Sequence, residues 1–186
     1  MHEAFIHPRA QVESNDIGKG TKVWAFSYIL SGASIGEDCN ICSHTFIENQ
    51  VKIGNKVTVK SGVYIWNGVQ IADEVFLGPN VTFTNDFAPR SKQYPEKFLE
   101  TVVEHGASIG ANATIIAGNT IGRYAMIGAG SVVTKNIPNN TLWYGNPCRF
   151  SSYICNCGNK LNQDYICPKC NREYELINSV IKQKNQ

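Results

Sequence analysis

No stretch of this 186-residue chain approaches the roughly 20 consecutive apolar residues that cross a bilayer. The first ten residues, MHEAFIHPRA, lack a charged segment followed by an apolar run, so no secretory signal is read there and a cytoplasmic location is expected. Charge of one sign is also missing. The 17 Lys and Arg against 15 Asp and Glu leave a net charge of +2, and no basic block occurs. Phosphate backbones are held by concentrated cationic surface, so nucleic acid is not expected as the main partner. In a reducing compartment the seven cysteines stay as thiols, and clustered ones read first as metal ligands.

What the chain has in abundance is a period of six. Stepping from Ile17 meets Val23, Ile29, Ile35, Ile41, Ile47, Ile53, Val59, Ile65, Ile71, Leu77 and Phe83. The pattern then breaks and resumes two residues out of phase as Ile109, Ile115, Ile121, Ile127 and Val133. A helix of 3.6 residues per turn does not keep every sixth residue on one face, and a plain strand alternates at two. Six is a short strand plus a turn, repeated around a prism. Two residues before these aliphatics stand small or β-branched residues, from Thr21, Ser27 and Ala33 to Val63, Val69, Val75 and Val81, suited to a narrow interior. The residue after the aliphatic is often glycine (Gly18, Gly36, Gly54, Gly78, Gly110, Gly122, Gly128), which suits corners demanding costly backbone angles. The fold expected is all-β: a parallel β-helix over residues 1–150, with a small Cys-rich tail over 151–186.

The repeat is interrupted over residues 84–108, and a long insertion in a regular solenoid is usually functional. A short helical turn is expected after Pro95. If three hexads make one coil, residues 18 apart stack, which puts Asn49, Asn67 and Asn85 in one column beside Glu48, Trp66 and Asp86. Such a column reads either as an asparagine ladder satisfying turn backbone or as a site in which amides bond a sugar while Trp66 covers its apolar face. The loop and Asp86 favour the site.

The hexads resemble the hexapeptide-repeat acyltransferase superfamily, whose members form left-handed triangular prisms, usually trimers with active sites between subunits. Residues 81–98 (VTFTNDFAPRSKQYPEKF) and 106–115 (GASIGANATI) resemble, within that superfamily, N-acetyltransferases of nucleotide-linked 3-amino sugars. The resemblance implies acetyl-CoA as co-substrate, a homotrimer, and products destined for surface polysaccharide such as O-antigen lipopolysaccharide. It assigns Asn85 and Asp86 to the sugar amine, with positioning first and proton transfer second. Asn85 could also steady the developing oxyanion. Trp66, Asn67, Asn49, Glu48, His44 and Arg90 are the companion sugar-binding candidates. One branch of the group has an acidic residue where this chain has Asn67.

For acetyl-CoA the later coils are expected to serve, with Ala111 and Ala129 letting a pantetheine arm approach backbone and Lys135 and Arg149 meeting phosphates. Asn146, in YGNPCRF, matches the element that ends the prism near CoA in that family. The histidines His2, His7, His44 and His105 are weighed as bases of the kind used by other hexapeptide enzymes, with His44 the foremost. Cys155, Cys157, Cys167 and Cys170 form two close pairs that fit a tetrahedral structural zinc site, although the first pair is one residue short of the usual spacing. A metal-free ribbon is the alternative. Residues 173–186 read as a short helix, and Cys39 and Cys42 as packing residues. The leading function is acetylation of a dTDP-linked 3-amino-3,6-dideoxyhexose. A UDP-linked 3-amino glucuronic acid derivative, sugar O-acetylation and a purely structural β-helix are the alternatives.

Overall fold

The structure is a computed structural model and describes residues 3–178 and 180–184. His2 lies outside them. Strands of two or three residues succeed one another with turns between, and every third strand joins the same sheet. Three parallel sheets result: one of nine strands that includes a final antiparallel member, one of seven and one of six. Eight parallel strands in the largest sheet correspond to eight coils of a left-handed parallel β-helix.

Register follows the 18-residue coil. Tyr28 pairs with Phe46, and Phe46 with Tyr64. Both inward positions of the hexad are filled as the pattern predicts. Ile29, Ile41, Ile47 and Ile65 are fully buried, and so are Val51, Val57, Val63 and Val69 two residues before an aliphatic. Each isoleucine side chain so buried contributes about 1.5–3 kcal/mol. Two of the interior polar residues bond the next coil. Thr21 Oγ1 donates to the Gly36 carbonyl at 2.7 Å, and Ser27 Oγ to that of Cys42 at 3.0 Å. Cys39 is buried and bonds the Gly54 carbonyl, in keeping with a packing role.

The glycines after the aliphatic need a different explanation from the one expected. Gly36 and Gly110 do not have positive φ; they are glycine because the next coil lies too close. A Cβ on Gly36 would fall 2.6 Å from the Gly54 carbonyl carbon, and one on Gly110 2.5 Å from the Ala129 nitrogen. The left-handed residues come two positions later, and many are not glycine: Phe26, Asp38, His44, Lys56, Glu74, Asn80 and Asn112 have φ of 54–64°.

Three further expectations are corrected. The interruption ends at residue 100 and not at 108, because Thr101–Val103 is a strand with Val103 in the hexad position before Ile109. Thr82 pairs with Thr114, 32 residues on where most coils pair at 18, so the excursion adds 14 residues. Fourteen is two hexads plus two, which is the phase slip. Among the described residues no helix forms after Pro95, where Pro and scattered charge give no apolar face. The tail ends in an antiparallel hairpin, Tyr174–Ile177 with Val180–Gln183, and not a helix, because β-branched residues and the left-handed Asn178 favour a turn between strands. Strand Arg149–Tyr153 runs antiparallel to Thr141–Tyr144, extends the nine-stranded sheet, and so spans residue 150.

Two substitutions separate the roles of glycine. Gly36→Ala is expected to lower stability by about 1–3 kcal/mol through overpacking. Gly130→Asn is expected to change it by less than about 1 kcal/mol, because nothing lies near that position and Asn tolerates the left-handed region. Urea denaturation of both variants checks the order.

Candidate functional site

The edge between the seven- and six-stranded sheets carries the asparagine column, and the column forms. Asn67 Nδ2 donates to Asn49 Oδ1 at 3.3 Å, and Asn85 Nδ2 to the Asn67 carbonyl at 3.2 Å. Much of this bonding serves the turns. Asn67 Oδ1 accepts from the Gln50 N–H at 2.8 Å, and Glu48 Oε2 accepts from the Asn67 N–H at 2.6 Å. Asn49, Asn67 and Glu48 are therefore engaged with one another and with backbone.

Asp86 begins the excursion. Its Oδ1 accepts from the Ala88 N–H at 2.9 Å, an Asx turn that swings the chain off the solenoid. The chain returns where the Leu99 N–H meets the Asn85 carbonyl at 3.2 Å and Thr101 pairs with Gly68. Gly68 is required there by φ of +94° and by Leu99 O, 2.5 Å from where its Cβ would lie. The loop is thus a closed flap anchored at Asn85. It carries two aromatic side chains that touch little of their own chain: Phe87 is 74% exposed and Tyr94 83%. Arg90 is on this flap, exposed, with its guanidinium on the Pro89 carbonyl.

Sequence reading missed an aromatic stripe. On the outer face of the seven-stranded sheet, Tyr28, Phe46 and Tyr64 stack edge to face at 5.8 and 6.3 Å, and Trp66 joins them 5.4 Å from Phe46. Together with Phe26 and His44 they line an open groove of about 380 Å³. His44 is a left-handed corner residue whose ring stacks on Phe26 at 5.0 Å. The Tyr28 hydroxyl donates to Glu13 at 2.7 Å, and that bond holds the phenol pKa above its usual value. Stepping by 18 from Tyr28 would have found the stripe. In the next three coils the same outward position holds Thr82, Thr114 and Val132. The face changes from aromatic to small at the coil from which Asn85 and Asp86 leave.

The expected CoA residues fall on both edges of this small-residue stretch. Ala111 and Ala129 occupy one edge, where the Gly130 N–H meets the Ala111 carbonyl. Lys135 occupies the other, two coils beyond Asn85 in the asparagine column. Ala117 lies between, its N–H on Thr84 Oγ1 at 2.9 Å. Lys135 Nζ sits 4.9 Å from the centre of the Trp143 ring. Asn146 lies in the turn that leads into strand Arg149–Tyr153, which Arg149 begins, and that turn is tied to Val132 by the bonds Val132 N–H to the Gly145 carbonyl and Cys148 N–H to the Val132 carbonyl. His105 is elsewhere, bonded to Tyr124 at 3.0 Å and 3.7 Å from Glu74, and His7 caps the Arg9 N–H. The four tail cysteines come together, all their Sγ atoms within 4.8 Å of one another.

Asn67→Ala removes the acceptor of the Gln50 N–H and one rung of the ladder. It is expected to cost about 1 kcal/mol in chemical denaturation, the usual net worth of such a bond. Unchanged stability would contradict the turn-capping role.

Residues 16–49 and 50–85 match the family profile described as bacterial transferase hexapeptide (six repeats), and residues 100–135 match the hexapeptide repeat of succinyl-transferase. The chain is 57% identical over 182 residues to the dTDP-3-amino-3,6-dideoxy-alpha-D-galactopyranose 3-N-acetyltransferase of Aneurinibacillus thermoaerophilus, covering 96% of this chain and 94% of that protein. A galactoside O-acetyltransferase of Lactococcus lactis subsp. lactis is 38% identical, but over only 40% of this chain and 38% of its own length. Among solved structures, a hexapeptide-repeat acetyltransferase of Vibrio cholerae in complex with acetyl coenzyme A superimposes with a TM-score of 0.58 at 26% identity, covering 67% of this chain and 72% of that one. Prism, loop and near-full-length likeness agree: the chain belongs to the hexapeptide-repeat acyltransferases, in the group of nucleotide-sugar 3-N-acetyltransferases.

Proposed function

We propose that this protein transfers the acetyl group of acetyl-CoA to the 3-amino group of a dTDP-linked 3-amino-3,6-dideoxyhexose, at the corner where Asn85 and Asp86 leave the prism. The observation that carries the reading is the change along one sheet face from aromatic (Tyr28, Phe46, Tyr64) to small (Thr82, Thr114, Val132) residues at that coil. Aromatic rings and Trp66 offer flat apolar surface for a sugar nucleotide. A face of small residues lets a narrow pantetheine chain lie against the sheet. The nucleotide choice is supported by the near-full-length likeness to the Aneurinibacillus enzyme, whereas the O-acetyltransferase likeness covers fewer than half of the residues.

The chemistry asks for a neutral amine held against a thioester. The amine lone pair adds to the acetyl carbonyl carbon, the carbon–sulfur bond breaks, and the amine proton passes to the departing thiolate directly or through Asp86. Asn85, held by its bond to the Asn67 carbonyl, positions the amine or donates to the carbonyl oxygen as charge builds there. Trp66 covers the sugar's apolar face. Asn49, Asn67 and Glu48 hold the edge beneath the reacting groups. His44 borders the groove, and Arg90 on the flap faces the nucleotide. Lys135 and Arg149 meet the phosphates of CoA, while Ala111, Ala129 and Asn146 border its path.

The flap's Phe87 and Tyr94 are largely exposed aromatic surface, which suits a homotrimer in which each flap closes on a neighbour's aromatic groove. The reaction belongs to the cytoplasm, where acetyl-CoA and sugar nucleotides are available, and supplies acetamido sugars for surface polysaccharide.

Thiol release from acetyl-CoA tests the reading with dTDP- and UDP-linked amino sugars side by side. Turnover is expected with the dTDP-3-amino sugar, and turnover with the UDP sugar alone would overturn the nucleotide assignment. Asp86→Asn is expected to lower kcat by about 10²-fold, the typical share of a positioned proton acceptor. An unchanged rate and pH profile would remove Asp86 from proton transfer. Trp66→Ala is expected to raise the KM of the sugar nucleotide and leave that of acetyl-CoA near its original value.

A further inference from the structure

The C-terminal tail has its own small core. Cys155, Cys167, Tyr174 and Ile181 are buried together, flanked by Tyr153, Leu161 and Tyr165, and this cluster is separate from that of the prism. So few residues do not ordinarily hold a fold of about 30 residues, and isolated two-stranded hairpins are marginal in water. The cysteines are free thiols, so no disulfide makes up the deficit.

The thiols are nevertheless arranged around one point. Cys155 and Cys170 Sγ are 3.4 Å apart, Cys157 and Cys167 3.5 Å, and Cys157 and Cys170 3.7 Å. With zinc–sulfur bonds of about 2.3 Å, the edges of a tetrahedral four-sulfur site measure about 3.8 Å. The two halves are built alike. Each second cysteine is followed by a left-handed residue, Gly158 with φ of 85° and Asn171 with φ of 57°. Each half closes on itself, by Gly158 N–H to the Cys155 carbonyl at 2.8 Å and by Asn171 N–H to that of Cys167 at 2.9 Å. The closing bond spans three residues in the first half and four in the second, so a tighter turn accommodates the shorter Cys-x-Cys spacing.

The sulfurs also have donors. The Tyr174 hydroxyl donates to Cys155 Sγ at 3.2 Å, and Asn159 Nδ2 to Cys157 Sγ at 3.5 Å. Four thiolates around a divalent ion leave two negative charges, and such donors offset them. From the cluster a chain of bonds runs back to the prism. The Tyr174 hydroxyl accepts from the Asn156 N–H at 2.9 Å, and Asn140 Nδ2, on the last coil, donates to Asn156 Oδ1 at 2.7 Å and to the Ile154 carbonyl at 3.1 Å.

We propose that Cys155, Cys157, Cys167 and Cys170 bind one structural zinc ion, which folds the tail and fastens it to the last coil of the prism. Four sulfurs complete a tetrahedral set, so the site leaves no coordination position open for chemistry.

Elemental analysis of the full-length protein, purified without chelator, is expected to give about one zinc per chain, and the double variant Cys157→Ser/Cys170→Ser less than about a tenth of that. These two cysteines are the exposed pair, so their replacement leaves the buried packing in place. Should the variant fail to fold, incubation of the metal-stripped wild type with cobalt(II) provides the second readout, with the thiolate charge-transfer and ligand-field bands of a tetrahedral four-sulfur site expected. Limited proteolysis should cut within residues 155–184 after metal removal and spare the prism. Wild-type protein that carries no zinc and develops no cobalt bands would overturn the proposal. So would iron in place of zinc, or zinc retained in full by the double variant.

Discussion

The whole molecule rests on in-register parallel stacking at 18 residues per coil. Each hexad commits two side chains to an interior so narrow that one position takes an aliphatic and the other a small or β-branched residue, and each coil covers the apolar edge of the one before. The close approach of successive coils excludes a Cβ at Gly36 and Gly110. Because the interior is fully assigned, the outward positions are free to differ from coil to coil, and stacking turns each choice into a column. The asparagine ladder and the aromatic stripe are two such columns, on one edge and one face.

The proposed site lies where columns change character. Asn49 and Asn67 spend their amides on turns and on each other, and Asn85 continues the column to the point where Asp86 diverts the chain. On the neighbouring face aromatic rings give way to threonine and valine at the same coil. The flap that begins there is tied back to Asn85 by Leu99, so its two exposed aromatic side chains are carried on a loop with fixed ends.

Much of this was legible in the sequence, for a physical reason. A solenoid repeats one local environment, so period six and period eighteen survive as visible spacing, and they predicted both the prism and the Asn49–Asn67–Asn85 stack. The strand Thr101–Val103 was not legible, because a 14-residue excursion shifts the phase by two and makes Val103 look like loop. The aromatic stripe obeyed the same 18-residue step and was passed over in favour of the amides. The glycines were found but misread, since close approach and positive φ leave the same residue in a sequence. The tail hairpin was hidden because its burial falls on Tyr174 and Ile181 alone, too sparse to show alternation. The short Cys-x-Cys spacing reflects a tighter closing turn at Gly158, which spacing alone does not reveal.

The central claim is that one corner, at Asn85 and Asp86, joins the aromatic acceptor groove to the small-residue face. A crystal structure with CoA and a dTDP-sugar tests it most directly. The pantetheine chain is expected against Thr114 and Val132, with its sulfur within about one coil spacing, ~4.8 Å, of Asn85 or Asp86, and the sugar against Trp66. A sulfur lying instead on the far edge, beside Ala111 and Ala129, with the sugar away from Asn85, would contradict it.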